Sequence, residues 1–558
     1  MEQLNPDPGR KVKTENSTVF ASALPINEED IEDYPLGLRR YAICFILGFN
    51  IVLPMLDISI LSTALPALTD EFHSLQDVGW YGSAYLMGCA TLLLPCGKAY
   101  TIFSPIACFL WSIAIFEIGS IISATAQSSN VLILGRAIAG AGDSGIWAGT
   151  LCMIAYAFPL RLRPAVNGAV GVLTASATAL GPPLGGVFIT KASWRWCFAI
   201  NPIIGAPTFI AAFFIFRDLK FPEQKQEGFW SKVRRFDWLG ISVLLPGIIC
   251  LLLAMQWGGT RFAWANGRII ALFILSGLLL SVFVGVQWWK KEEAMLPLRI
   301  LKQRSVAAGA AYCFAIVASG DTISYYAPTW FQAIKGVNAL QSGVMILPLT
   351  AATGVAGIAA GTLITYLGHY VPFMIAGSVS VLVGAVLTTQ FQPDSGPGIW
   401  VTAIILVGLG IGLGFEQPQV AAQTVLTIED IPIGMSAVIF AQTLGQAIFI
   451  SVVGSVINNE ILSGFKASLP GVDLEDVLDK GATELQNVLP AADVGLVKQI
   501  HNTAITRTFY ICVAMAGVSL VAACLMEWKS VKDEVVIERE GELVREGVAV
   551  GIEVKSES

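Results

Sequence analysis

The chain has 558 residues, of which 54% are hydrophobic and only 13% charged, with a formal net charge of −7. Soluble domains carry roughly 25% charged residues, so this composition excludes an ordinary soluble enzyme or nucleic-acid-binding domain and indicates a polytopic membrane protein. The net acidity names no partner, because the acids gather in the tails and one loop.

Residues 1–40 are polar and hold no short apolar segment after a basic start, which predicts a cytoplasmic tail and no cleaved signal peptide. Fourteen apolar segments follow, each long enough to cross roughly 30 Å of hydrocarbon as a helix. They run near 41–66, 77–97, 102–125, 131–156, 165–189, 196–216, 237–256, 269–289, 306–334, 341–367, 371–391, 398–420, 433–457 and 504–526. An even count places both termini on one side. The loop 217–236 holds Arg217, Lys220, Lys225, Lys232, Arg234 and Arg235, and the loop 290–305 adds Lys290, Lys291, Arg299, Lys302 and Arg304. Basic loops stay in the cytoplasm, so both termini are expected there, and the sequon at Asn16 stays unused. The stretch 458–503 becomes an external loop in which Leu474, Val477 and Leu478 share a helical face. The tail 527–558, rich in Glu and Lys, is expected to be solvated, disordered and cytoplasmic.

A faint repeat organises the spans. Gly97-Lys98-Ala99-Tyr100-Thr101 follows the second span, and Gly361-Thr362-Leu363-Ile364-Thr365 follows the tenth. Repeats of this kind build many secondary transporters. They divide the chain into six-helix bundles at 41–216 and 306–526, around cytoplasmic loops and two linker helices within 217–305.

Charged residues within spans cost about 2.5–3.5 kcal/mol each on insertion scales, which makes each one a functional candidate as well as a candidate structural ion pair. Here they are Asp57, Glu117, Arg136, Asp143, Asp321 and Glu416, with Arg507 near the start of the last span. Desolvation disfavours the charge of a carboxylate, so an acid in such a setting can exchange protons at physiological pH. Asp57, Arg136, Asp143, Asp321 and Glu416 are the proton-coupling candidates, and Tyr325, Tyr326 and Glu416 the candidates for lining a substrate cavity. In the fifth span, Gly181-Pro182-Pro183-Leu184-Gly185-Gly186 combines a bend with a smooth face, since Gly181 and Gly185 lie four apart.

Other patterns lead nowhere. Gly140-Ala141-Gly142-Asp143-Ser144-Gly145 fits a dinucleotide-binding spacing but lies inside a span with no βαβ context. A Walker A lysine motif is missing, so ATP is not the evident energy source. Ten scattered cysteines form no CxxC pair and are expected as buried free thiols. His73, His369 and His501 fall in expected loops or at their edges and assemble no metal or hydrolase cluster, so no catalytic residue, metal or cofactor is expected.

Three motifs on their respective spans resemble the major facilitator superfamily, and within it the fourteen-span drug:proton antiporter branch. Leu56-Asp57-Ile58-Ser59-Ile60-Leu61-Ser62-Thr63-Ala64-Leu65-Pro66 is similar to that branch's first-helix motif. Gly135-Arg136-Ala137-Ile138-Ala139-Gly140-Ala141-Gly142 is similar to the motif with a membrane-buried arginine, and Gly181 to Gly186 to the antiporter motif. Trp194-Arg195-Trp196-Cys197-Phe198-Ala199-Ile200-Asn201, Gln256-Trp257-Gly258-Gly259-Thr260 and Gln442-Thr443-Leu444-Gly445 look like the fungal subgroup of mycotoxin and multidrug efflux carriers. The resemblance covers roughly residues 41–526 and implies an all-α polytopic membrane protein of the major facilitator fold, with two six-helix bundles and two extra helices. It implies a monomer in membrane lipid, in the plasma membrane or else the vacuolar one, that exports a small amphipathic organic substrate against protons and needs no nucleic acid. Uptake by a carrier of the same fold, or a non-transporting sensor, are the alternatives. Asp57 would couple to the proton or substrate, Arg136 would assist proton exchange, and Gly181, Pro182, Gly185 and Gly186 would form a hinge. The chain departs from the pattern after the second span, where Thr101, Pro105 and Ile106 replace the acid and bases of the usual charged latch.

Overall fold

The computed structural model describes residues 38–72, 77–217, 219, 228–259, 262–337, 339–468 and 494–532. These residues lie mostly in helices. In chain order they are α1 (Leu38–Phe72), α2 (Val78–Ile102), α3 (Pro105–Ala124), α4 (Ser129–Ala157), α5 (Arg163–Lys191), α6 (Trp196–Phe216), a short α7 (Phe229–Arg234), α8 (Trp238–Trp257) and α9 (Gly267–Lys290). There follow a short α10 (Leu298–Lys302), α11 (Arg304–Lys335), α12 (Ala339–Leu367), α13 (Val371–Thr389), α14 (Pro397–Gly414), α15 (Gln417–Val425), α16 (Ile431–Ser468) and α17 (Val494–Cys524).

Local chemistry sets many of the ends. Proline opens α3, α5, α13 and α14, where its missing N–H costs nothing. Asp237 caps α8 by accepting from the Gly240 amide at 2.8 Å, and Asn266 caps α9 through Arg268 N at 3.0 Å. Gly336 ends α11 in the left-handed region, at φ +68°.

Twelve helical stretches among the described residues are long and apolar enough to cross a membrane. The segments expected near 77–97 and 131–156 fold as α2 and α4, of 25 and 29 residues, but fall outside those twelve. Glycines and polar residues dilute both, including Lys98 in α2 and Arg136 with Asp143 in α4. The expected span 398–420 is broken: α14 ends at Gly414 and α15 starts at Gln417. Pro418 explains the break, because it has no N–H for the Gly414 carbonyl and its ring crowds that position. The expected external loop 458–503 gives up both ends, since α16 runs on to Ser468 and α17 begins at Val494. His501 therefore lies buried within a helix, bonded through Nδ1 to its own turn at Val497, rather than in a loop. The tails over 1–37 and 533–558, together with Asn16, Lys220, Lys225, His73, Leu474, Val477 and Leu478, lie outside the described residues.

The helices pack as two copies of one plan. In the first bundle α3 packs on α4, α2 on α4, α1 on α5 and α6, and α3 on α6. In the second, α13 packs on α14, α12 on α14, α11 on α16 and α17, and α13 on α17. α8 and α9 pair with each other, and α8 leans on α2 and α16. The bundles meet along α5 with α12 and α2 with α16, which are equivalent crossings. Glycine permits both. A side chain at Gly361 would strike the Pro164 carbonyl of α5, and one at Gly97 would strike Ser436 of α16.

Candidate transport site

The first bundle holds its polar groups deep between helices. Asp57 of α1 and Arg136 of α4 form an ion pair, with 0% and 1% of their side chains exposed. Arg136 Nε also donates to the Tyr81 carbonyl at 3.0 Å, and the guanidinium lies 4.5 Å from the centre of the Tyr85 ring. The second oxygen of Asp57 accepts from Asn201 Nδ2 of α6 at 2.9 Å, and the same amide donates to Ser120 Oγ of α3 at 3.1 Å. One charge pair is thus fixed from four helices, as a buried pair must be to offset its desolvation. Asp143, one helical stretch further along α4, is buried beside Tyr85 and Cys89, and its Oδ1 has no hydrogen-bond partner among the described residues.

The second bundle carries acids without cations. Asp321 of α11 is partly buried and accepts from Gln446 Nε2 at 3.2 Å; no basic side chain pairs with it among the described residues. The interval from Asp57 to Gly97 equals that from Asp321 to Gly361, so the two acids hold matching places in the repeat. Glu416 sits at the break between α14 and α15, buried, and its side chain approaches Gly171 of α5 at the seam between the bundles. Beside the break, Gln417, Gln419, Gln423 and Gln442 are also buried, with Gln419 Nε2 and Gln442 Oε1 3.4 Å apart. Tyr326 is anchored, its hydroxyl donating to the Ile450 carbonyl at 2.7 Å, whereas Tyr325 is 59% exposed.

In α5 the helix continues unbroken through Pro182 and Pro183. Pro182 leaves the Thr178 carbonyl without its helical amide, and Ser59 Oγ of α1 fills that place at 2.5 Å. Gly181 and Gly185 both abut α1, where an added Cβ would collide with Ser59 and Ile60, while Gly186 has nothing within 4 Å.

Charged contacts gather where the loops before α8 and α11 lie. Lys98 Nζ of α2 donates to the Ala294 carbonyl at 2.9 Å and, at 3.4 Å, to that of Glu292. Arg299 of α10 grips Asp430, with one bond of 2.8 Å, and Glu292 at 2.6 Å. Asp237 accepts from Gly240 N, Gln287 Nε2 and Met295 N and pairs with Lys290 at 3.0 Å. Burial pushes the Asp237 carboxyl up, but these bonds together outweigh it and hold it below the usual carboxylate range. At the opposite end, hydrogen bonds from Arg195 and then Trp194 hold Glu71 low as well.

The structure therefore brings Asp57, Arg136 and Asp143 into one cluster and sets Asp321 and Glu416 apart in the other bundle. Asn201, Ser120 and the buried glutamines were missed by sequence reading. Asn201 and the pair Gln442-Thr443 stood inside quoted motifs, and an amide amid an apolar run was the signal that could have singled them out.

Two pseudo-repeated bundles, with charges sunk at mid-helix and contact through glycine-lined crossings, define a membrane carrier of small solutes. The sequence profile described as the Major Facilitator Superfamily matches residues 47–450, and the chain belongs to that superfamily: it is a multi-pass membrane transporter and not an enzyme. It is 43% identical over 509 residues to the MFS-type efflux pump MFS1 of Arthroderma benhamiae, which covers 90% of this chain and 94% of that one. It is likewise 43% identical over 502 residues, 89% of each chain, to the aspyridones efflux protein of Neocamarosporium betae. In fold it is similar to the human organic anion transporter MFSD10 (TETRAN), with a TM-score of 0.56 and 14% identity over 88% of this chain and 99% of the solved one.

Proposed function

We propose that this chain exports small amphipathic organic compounds, of the secondary-metabolite or drug kind, in exchange for protons. The single observation that carries the exchange is the buried Asp57–Arg136 pair, tied to Asn201 at the centre of the first bundle. A proton arriving at Asp57 removes one partner of that pair and leaves Arg136 uncompensated, which favours a different packing of α1 against α4. Substrate binding between the bundles favours the other state, and each ligand drives the cycle only through this difference. The close relation to named efflux proteins supports the outward direction.

In this reading α2 and α4 also span the membrane, giving fourteen spans with both termini in the cytoplasm and the basic loops facing inward. The division into bundles at 41–216 and 306–526 follows, with 217–305 as linker, and the protein works as a monomer in the plasma membrane. The substrate lies between the bundles near Glu416, Tyr325 and Tyr326, Asp321 and Asp143 remain further proton-coupling acids, and Gly181, Pro182, Gly185 and Gly186 shape the moving face of α5.

The test is accumulation of labelled drugs and fungal metabolites in a transporter-deficient host expressing the chain, with Asp57→Asn and a protonophore as controls. Lower accumulation that either control reverses is the expected result. Higher accumulation would replace export by uptake.

A further inference from the structure

We propose that Glu117 is a second proton-carrying acid of the first bundle, coupled to Asp57; the proposal rests on the proton-exchange reading above. Glu117 lies on α3, 9% exposed, and neither carboxyl oxygen has a hydrogen-bond partner among the described residues. Facing it, α6 presents Gly205, and an added Cβ there would run into the carboxyl group. The helix opposite has thus left room for this acid while offering it no donor.

One turn along both helices, the next rung is Ser120 with Asn201, whose amide donates to Ser120 Oγ and to Asp57. Glu117–Gly205 and Ser120–Asn201 are therefore consecutive rungs that end on the Asp57–Arg136 pair. The groups around Glu117 fit this role. Asp57 from α1 is the charged neighbour that acts on it. Arg136 from α4 is committed to Asp57 and Tyr81, and Asp143 of α4 lies beside Tyr85 and Cys89. α6 carries no charged residue between Trp196 and Phe216, and its Cys197 lies near Asp57.

An unpaired buried carboxylate is costly, whereas the neutral acid is tolerated. In this proposal the proton sits on Glu117, whose oxygens have no partner among the described residues, and Asp57 is left to Arg136, which already matches it. When Asp57 leaves Arg136 the charge facing Glu117 changes, and this links the two acids. The second site gives the bundle somewhere to keep a proton while the ion pair is closed.

The experiment is infrared difference spectroscopy of the full chain in lipid vesicles across pH, on wild type, Glu117→Gln, Glu117→Asp and Asp57→Asn. The expected result is loss of one protonated-carboxyl C=O band in Glu117→Gln, its retention at shifted frequency in Glu117→Asp, and a shift of the pH at which it bleaches in Asp57→Asn. An unchanged band in Glu117→Gln would overturn the assignment, and a bleaching pH that Asp57→Asn does not move would overturn the coupling. These readouts need no transported compound, so they stand or fall separately from export. Where export is measured, Glu117→Gln should lose transport driven by a pH gradient while keeping substrate–substrate exchange, and loss of both together would indicate a structural role only.

Discussion

Ser59 of α1 donates its hydroxyl to the carbonyl of Thr178 on α5, the carbonyl that Pro182 cannot serve. A proline that would break a helix in water is accommodated because a neighbouring helix supplies the missing donor. Ser59→Ala should lower stability by about 1 kcal/mol, the usual net worth of a hydrogen bond. Pro182→Ala restores the helical amide, so Ser59→Ala should be nearly neutral in that background. Thermal melts of the four proteins in this double-mutant cycle give the coupling directly.

The glycines of the same run should behave unequally. Gly185→Val puts a side chain into Ile60 and Thr63 of α1, and overpacking of this kind costs about 1–3 kcal/mol. Gly186→Val meets open space and should leave the melting temperature and transport close to wild type. Equal damage from both would show that the run acts through helix bending rather than through its α1 face.

Asp57→Asn or Arg136→Gln alone leaves one buried group unmatched, and breaking a buried pair costs about 3–5 kcal/mol. The double variant Asp57→Asn with Arg136→Gln should recover most of that stability in melts while remaining unable to couple to protons. Recovery of coupling in the double variant would remove the pair from the mechanism.

Arg299 and Asp430 join the segment before α11 to the turn before α16, close to where Gly97 of α2 crosses α16. Thr101, at the place where the resemblance leads one to expect an acid, bonds back to the Lys98 carbonyl at 2.9 Å. Charge contact between these segments is made by Arg299 with Asp430 and Glu292. Arg299→Asp should raise labelling of a cysteine placed at the α2–α16 crossing, and Arg299→Asp combined with Asp430→Arg should bring it back towards wild type.

The Asp237 clasp has a defined pH dependence. Its folded carboxyl titrates below the ordinary value of 3.8, so the clasp contributes full stability above that value and loses it as pH falls through the lower folded one. Between pH 5 and 8 wild type should show no change from this group. Asp237→Asn should lower the melting temperature throughout that range and flatten the decline seen in strong acid.

Much of this fold was legible because bilayer thickness and apolar runs determine one another: α3, α6, α8, α9 and α13 lie within a few residues of their expected places. The misplacements have local causes. Pro418 divides α14 from α15, and α16 and α17 extend beyond the apolar runs because helical hydrogen bonding does not end where hydropathy does. The partners of the site were less legible. Asp57 and Arg136 stood out as charges in apolar sequence, but that they meet depends on the packing of α1 against α4, which no local pattern encodes. Asn201 was hidden for the same reason, since it matters only where α6 approaches both α1 and α3.

The most direct measurement uses the purified chain in liposomes with an imposed pH gradient, following an exported compound and the internal pH together in wild type and Asp57→Asn. The account predicts movement of the compound against its own gradient, with protons moving the opposite way, and loss of both in Asp57→Asn. Compound that moves only down its own gradient, with the pH gradient and Asp57→Asn making no difference, would contradict proton exchange through this ion pair.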